Sequence, residues 1–130
     1  MKIKNCISAF MTSFLFAGCT VGQNDASDTY RQISMDEAVT IMKEKSGYII
    51  LDVRRPEEFA EGHIPNAINV PNENIGASEI PELTDKDQLI LVYCRSGRRS
   101  KEAAEKLVKL GYTDIVEFGG ILDWKGEIIA

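Results

Sequence analysis

The chain has 130 residues, 44% of them hydrophobic and 27% charged, with a net charge of -5. That length suits one domain and is short for two, and the composition is that of an ordinary globular protein. The acidic balance argues against general nucleic-acid binding, which needs a basic face.

In chain order, residues 1–18 read as an export signal. Lys2 and Lys4 give a basic start, Ile7 to Phe16 form a mostly apolar run, and Ala17-Gly18 lead into Cys19. Basic, apolar, small is the order of a secretory signal, and the apolar run is too short to span a bilayer. With a cysteine in place of an Ala-x-Ala site, the segment resembles the lipobox of bacterial lipoproteins. It departs from that pattern in having Phe16 where leucine is usual, with Leu15 one place earlier. The resemblance implies cleavage before Cys19 and acylation of its thiol. The protein would then be exported and anchored by lipid alone, facing the periplasm or the cell exterior. A plain signal peptide cut nearby is the alternative. If Cys6 leaves with the signal and Cys19 is blocked, Cys94 is the one free thiol. Residues 19–29 would be the lipidated cysteine and a polar tether; the ten residues of "TVGQNDASDT" reach roughly 35 Å when extended.

Residues 30–130 are expected to form the folded domain. "YRQIS" suits a short strand. Ser34 with Glu37 three residues on is a capping-box signature for a helix that Gly47 can stop. Tyr48–Val53 ("YIILDV") is a continuous apolar, β-branched run, as in a parallel strand buried on both faces. A short helix and turn follow over 55–67, then a brief strand at Ile68–Val70 before Pro71. Residues 72–87 are irregular with one helical turn. Gln88–Cys94 ("QLILVYC") is the second strongly buried strand. "RRSKEAAEKLVKLGY" is a helix with Ala103, Ala104, Leu107 and Leu110 inside. Glu102/Lys106 and Glu105/Lys109 are i,i+4 pairs outside, and Gly111 ends the helix. "DIVEFGG" is a last strand, and "ILDWKGEI" a short helix or tail. Alternating strands and helices predict an α/β fold with a mainly parallel sheet, whose ligand site lies at the carboxyl ends of the strands.

Cys94 stands at such an end, followed by "RSGRRS". The helix that begins near Arg98 offers free N–H groups and the positive end of its dipole. Gly97 lets the backbone curl so that successive N–H groups converge on one point. Arg95, Arg98 and Arg99 add full charges. Such surroundings favour a thiolate and attract an anionic substrate. A buried cysteine can be simple apolar filler, but the glycine and three arginines beside it weigh toward a nucleophile.

Three blocks, Leu51–Pro71 ("LDVRRPEEFAEGHIPNAINVP"), Leu91–Ser100 ("LVYCRSGRRS") and Gly119–Trp124 ("GGILDW"), resemble in order and spacing those of single-domain rhodaneses. The resemblance spans about residues 30 to 126. It implies a five-stranded, mainly parallel sheet flanked by helices and a Cys94 nucleophile. The Cys94 thiolate would take the outer sulfur of thiosulfate, release sulfite, and pass its persulfide sulfur to a thiol or cyanide. The backbone of Arg95, Ser96, Gly97, Arg98 and Arg99 would steady that persulfide. No metal or organic cofactor is implied. Cysteine phosphatases that share this fold use a loop one residue longer, with arginine six places after the cysteine; here that place is Ser100 and Arg99 is at five. A dedicated persulfide carrier for one protein partner is the remaining alternative, since nothing reveals the acceptor.

Supporting roles are expected for three further residues. Asp52 could accept loop N–H groups or pair with an arginine. Arg54 could pair with Glu57 or face the substrate. Ser100 closes the loop. His63, the one histidine, sits in "GHIPNA" and suits a turn residue bonded to backbone better than a general base. Asn66, where glycine is common, tolerates left-handed geometry. Trp124 is expected in the core.

Overall fold

The computed structural model describes residues 29–76 and 79–130. The expected signal, Cys19 with its expected acylation and the rest of the expected tether up to residue 28 lie outside the described residues. Five strands form one sheet: β1 Arg31–Gln32, β2 Ile49–Asp52, β3 Ile68–Asn69, β4 Ile90–Cys94 and β5 Ile115–Gly120. Their order is β1-β5-β4-β2-β3, and every adjacent pair is parallel. Three helices cover the sheet: α1 Met35–Glu44, α2 Pro56–Glu61 and α3 Arg98–Lys109.

The two central strands are the two apolar runs. Alternation along β4 sends Ile90, Val92 and Cys94 to one face and Leu91 and Tyr93 to the other. The first face packs on Ala103, Ala104 and Leu107 of α3, and the second on Ala38 of α1 and on Ile64 and Ala67. Both faces are covered, so these strands need no polar side.

The capping box acts as expected at α1, but the helix stops before Gly47, at Glu44 with an extended Lys45 as its C-cap. The Ser34 hydroxyl accepts from the Glu37 N–H at 3.1 Å, and Glu37 accepts from the Ser34 N–H at 3.0 Å. Asn66 adopts φ 72°, which an asparagine tolerates better than most residues. Trp124 is half-buried against Phe118, and its indole N–H donates to the Glu127 carbonyl at 3.0 Å. The segment after β5 is a 3₁₀ turn over Ile121–Asp123, followed by an extended tail whose Ile129 bridges His63.

One expectation fails on α3. Lys106 leaves the helix surface and donates to the Asn72 carbonyl and side-chain oxygens at 3.0 and 3.1 Å. Glu102 instead receives Arg98 at 3.1 Å and the Asn72 amide at 3.0 Å. The turn at Asn72 supplies fixed partners, which compete well against a solvated i,i+4 pair worth a few tenths of a kcal/mol, roughly.

Candidate active site

Cys94 ends β4, and α3 begins four residues later. The loop between them turns on Gly97, whose φ of 112° lies in the left-handed region. That turn brings the Gly97 N–H to 3.0 Å from Cys94 Sγ. The sulfur is buried at 1% exposure, and it meets the Ser100 hydroxyl at 3.4 Å. The loop backbone rests directly on the glycine pair that ends β5. A Cβ at Gly120 would lie 2.1 Å from the Arg95 carbonyl oxygen, and the Leu122 N–H donates to that same oxygen at 3.2 Å. The "GG" block therefore sets the height of the loop above the sheet.

Beside the loop, Arg95, Ser96, Arg98 and Arg99 line a cavity of about 320 Å³ together with Arg55 and Glu58; the buried Cys94 is not itself among its lining residues. The arginines differ in how free they are. Arg99 is held by both oxygens of Glu58, at 2.8 and 3.2 Å. Arg98 reaches Glu102 while its side chain stays 75% exposed. Arg55 and Arg95 have no salt bridge among the described residues. Arg55 went unnoticed in the sequence; its signal is its place just after the end of β2, level with the start of α3.

The Arg99 hydrogen bonds hold the Glu58 carboxyl down at about 2 against burial, which acts the other way. A depressed folded value contributes stability that is present above the ordinary 4.5 and is lost as pH falls toward 2. Thermal melts across that window should therefore steepen with acid, and Glu58→Gln should flatten the dependence. An identical acid slope in the variant would show that Glu58 is not the titrating group.

Asp52 and Arg54 do not meet the loop. Arg54 donates to Asp52 through Nε (3.0 Å) and Nη2 (2.7 Å), and its backbone N–H reaches Oδ1 at 2.9 Å. Its Nη2 also donates to the Gly62 carbonyl at 2.7 Å. The Tyr93 hydroxyl completes the set, donating to Asp52 at 2.7 Å; burial and that carboxylate push its pKa up. Arg54 thus faces neither Glu57 nor the cavity: it is 6% exposed and neutralises a fully buried Asp52. Both lie beneath the α2 entry, where they hold the β2 end and the turn at Gly62 in place.

His63 stacks on Phe59 with centroids 3.7 Å apart, and its Nδ1 is 2.9 Å from the Phe59 carbonyl. It is not among the residues lining the arginine cavity.

A buried carboxylate that sequence reading passed over lies under the loop. Glu117 on β5 is 2% exposed. Its Oε2 accepts from Ser100 at 2.5 Å and from the Gly119 N–H at 2.9 Å. Strand alternation gives the signal: Ile115 and Glu117 share the α3-facing side, so a charge there is an exception in a core slot.

A family model described as Rhodanese-like domain matches residues 34–127. The thiosulfate sulfurtransferase PspE of Escherichia coli is 37% identical over 73 residues, 56% of this chain and 70% of that protein. The thiosulfate sulfurtransferase GlpE of Coxiella burnetii is 35% identical over 99 residues, 75% of this chain and 90% of that one. A solved rhodanese with anions from E. coli matches with a TM-score of 0.58 at 33% identity, covering 63% of this chain and 96% of the other. A cysteine under an arginine-lined loop, an all-parallel five-stranded sheet and relatives named for sulfur transfer agree: the chain belongs to the rhodanese-like domain family.

Proposed function

We propose that this protein is a thiosulfate sulfurtransferase working through a Cys94 persulfide. The Cys94 thiolate attacks the outer sulfur of thiosulfate; a new S–S bond forms, the old one breaks, and sulfite leaves with the electron pair. A thiol or cyanide then takes the outer sulfur and returns the thiolate. The observation that carries this reading is the Gly97 N–H on Cys94 Sγ at 3.0 Å, in a loop whose Arg95, Arg98 and Arg99 line a cavity with Arg55. That N–H stabilises a developing sulfur anion, and the arginines concentrate a doubly charged donor. Ser100 weighs against phosphate chemistry. It is fully buried and bonded to Gly97 and Glu117, so the place where a fold-sharing phosphatase carries its arginine cannot reach an anion in the cavity.

The test is a thiosulfate:cyanide assay run beside an aryl phosphate assay. Thiocyanate formation that weakens with added salt supports the reading; phosphate release without thiocyanate sinks it. For location, Cys19 acylation after loss of residues 1–18 remains our reading of the leading segment. Mass spectrometry of the mature protein should find a lipidated Cys19 at its N-terminus, and an intact Met1 in cytosol would overturn it.

A further inference from the structure

The carboxylate of Glu117 has no part in the transfer steps above, yet it lies one side chain from the sulfur. Ser100 Oγ is within 3.0 Å of the Gly97 carbonyl, 3.4 Å of the Gly119 carbonyl and 2.5 Å of Glu117 Oε2. A hydroxyl has one proton to give. The shortest contact and the charge both award it to Glu117. Glu117 Oε2 also accepts the Gly119 N–H, and the Lys101 ammonium lies 4.0 Å from Oε1. Two donors and a cation suit the ionised carboxylate. With its proton engaged there, Ser100 turns lone pairs toward Cys94, as an acceptor for S–H rather than a donor to S⁻.

We propose that Glu117 is a positioning residue for Cys94, orienting the Ser100 hydroxyl and setting a buried negative charge beside the nucleophile. The reading rests on Cys94 being the reactive group. Its chemical purpose is to offset the cradle. The Gly97 N–H and the start of α3 present positive charge to the sulfur, with Arg99 nearby but shared with Glu58, and a thiolate made too acidic is a poor nucleophile. A carboxylate on the other side of the sulfur restores basicity, because two anions sharing a buried site oppose each other's ionisation.

The charged groups around the pair are few. From α3 come Lys101 and Arg99, the latter shared with Glu58. Ahead of β1 lies Tyr30, whose pKa is raised by burial and then by Glu105 and Glu117. On β2 the Asp52 charge is already neutralised by Arg54. No other carboxylate among the described residues has a hydrogen-bond path to Cys94 Sγ through a single side chain.

The experiment is the rate of iodoacetamide alkylation of Cys94 against pH, in the full chain and in Glu117→Gln. Glutamine is isosteric and can still accept from Ser100 and Gly119. The midpoint should move to lower pH by about one unit, and the high-pH plateau should fall roughly threefold as the sulfur becomes less basic. Glu117→Asp, which keeps the charge, should hold the midpoint near that of the parent. Should the Gln variant not fold, Glu117→Leu fills the same volume with no polar atom to satisfy, and the same lower midpoint is expected. An unchanged or higher midpoint in either folded neutral variant overturns the proposal. Alkylation requires no sulfur donor, so a shifted midpoint in a protein inert to thiosulfate would keep the Glu117 role and remove only the sulfurtransferase reading.

Discussion

Cys94→Ala should lose sulfur transfer from thiosulfate to cyanide by at least about a thousandfold, because Cys94 is the only cysteine among the described residues and so the only thiol in the folded domain to carry the sulfur between half-reactions. The fold should survive. The residue is buried at 1% exposure but small, and it sits at the end of a strand held by ladders on both sides. Its loss leaves a void of one sulfur atom, at a cost of about 1 kcal/mol. Cys94→Ser should be equally inactive, since a hydroxyl in this setting stays protonated. The paired measurement is turnover beside a thermal melt. Substantial activity in the folded Ala variant would remove Cys94 from the mechanism altogether.

The largest stability effect is expected at Arg54. Arg54→Met would leave the Asp52 charge fully buried, with only the Tyr93 hydroxyl and the Arg54 backbone N–H to solvate it. Breaking a buried pair in this way costs about 3–5 kcal/mol, a fall of about 15 °C or more in Tm for a domain of this size. The double variant Asp52→Asn/Arg54→Met removes both charges and should regain most of that loss, since neutral, packed replacements of buried pairs are often tolerated. A single variant melting within a few degrees of the parent would show that Asp52 finds another counter-charge. Neither residue lines the arginine cavity, so the surviving fraction of Arg54→Met should keep its affinity for the sulfur donor.

The strands, the helices and the cysteine loop were legible because each is a local pattern. Two apolar β-branched runs become β2 and β4, a Ser-x-x-Glu capping box opens α1, and a glycine between basic residues starts α3. What escaped depends on which partner the folded chain brings to each side chain. Arg99 counts as a free cation until α2 brings Glu58 against it across 41 residues. Arg54 invites pairing with nearby Glu57, but the end of β2 turns it back onto Asp52, two residues away on the same side of the strand. Glu117 was readable in principle, as a charge in a core-facing slot of β5. Its partner Ser100 could be assigned only once β5 and α3 were known to pack face to face.

The sheet order carries a consequence for how the chain is made. Arg31 on β1 pairs with Val116 on β5, and β5 is the last strand to be synthesised. β1, the first of the described strands off the ribosome, must therefore wait, unpaired, until β5 appears. Parallel pairings of this separation close slowly, and unpaired strands are exposed to wrong partners meanwhile. β1 is only two residues long and both are polar, Arg31 and Gln32. A segment that short and hydrophilic makes a poor template for aggregation, which suits an edge that is born first and docked last.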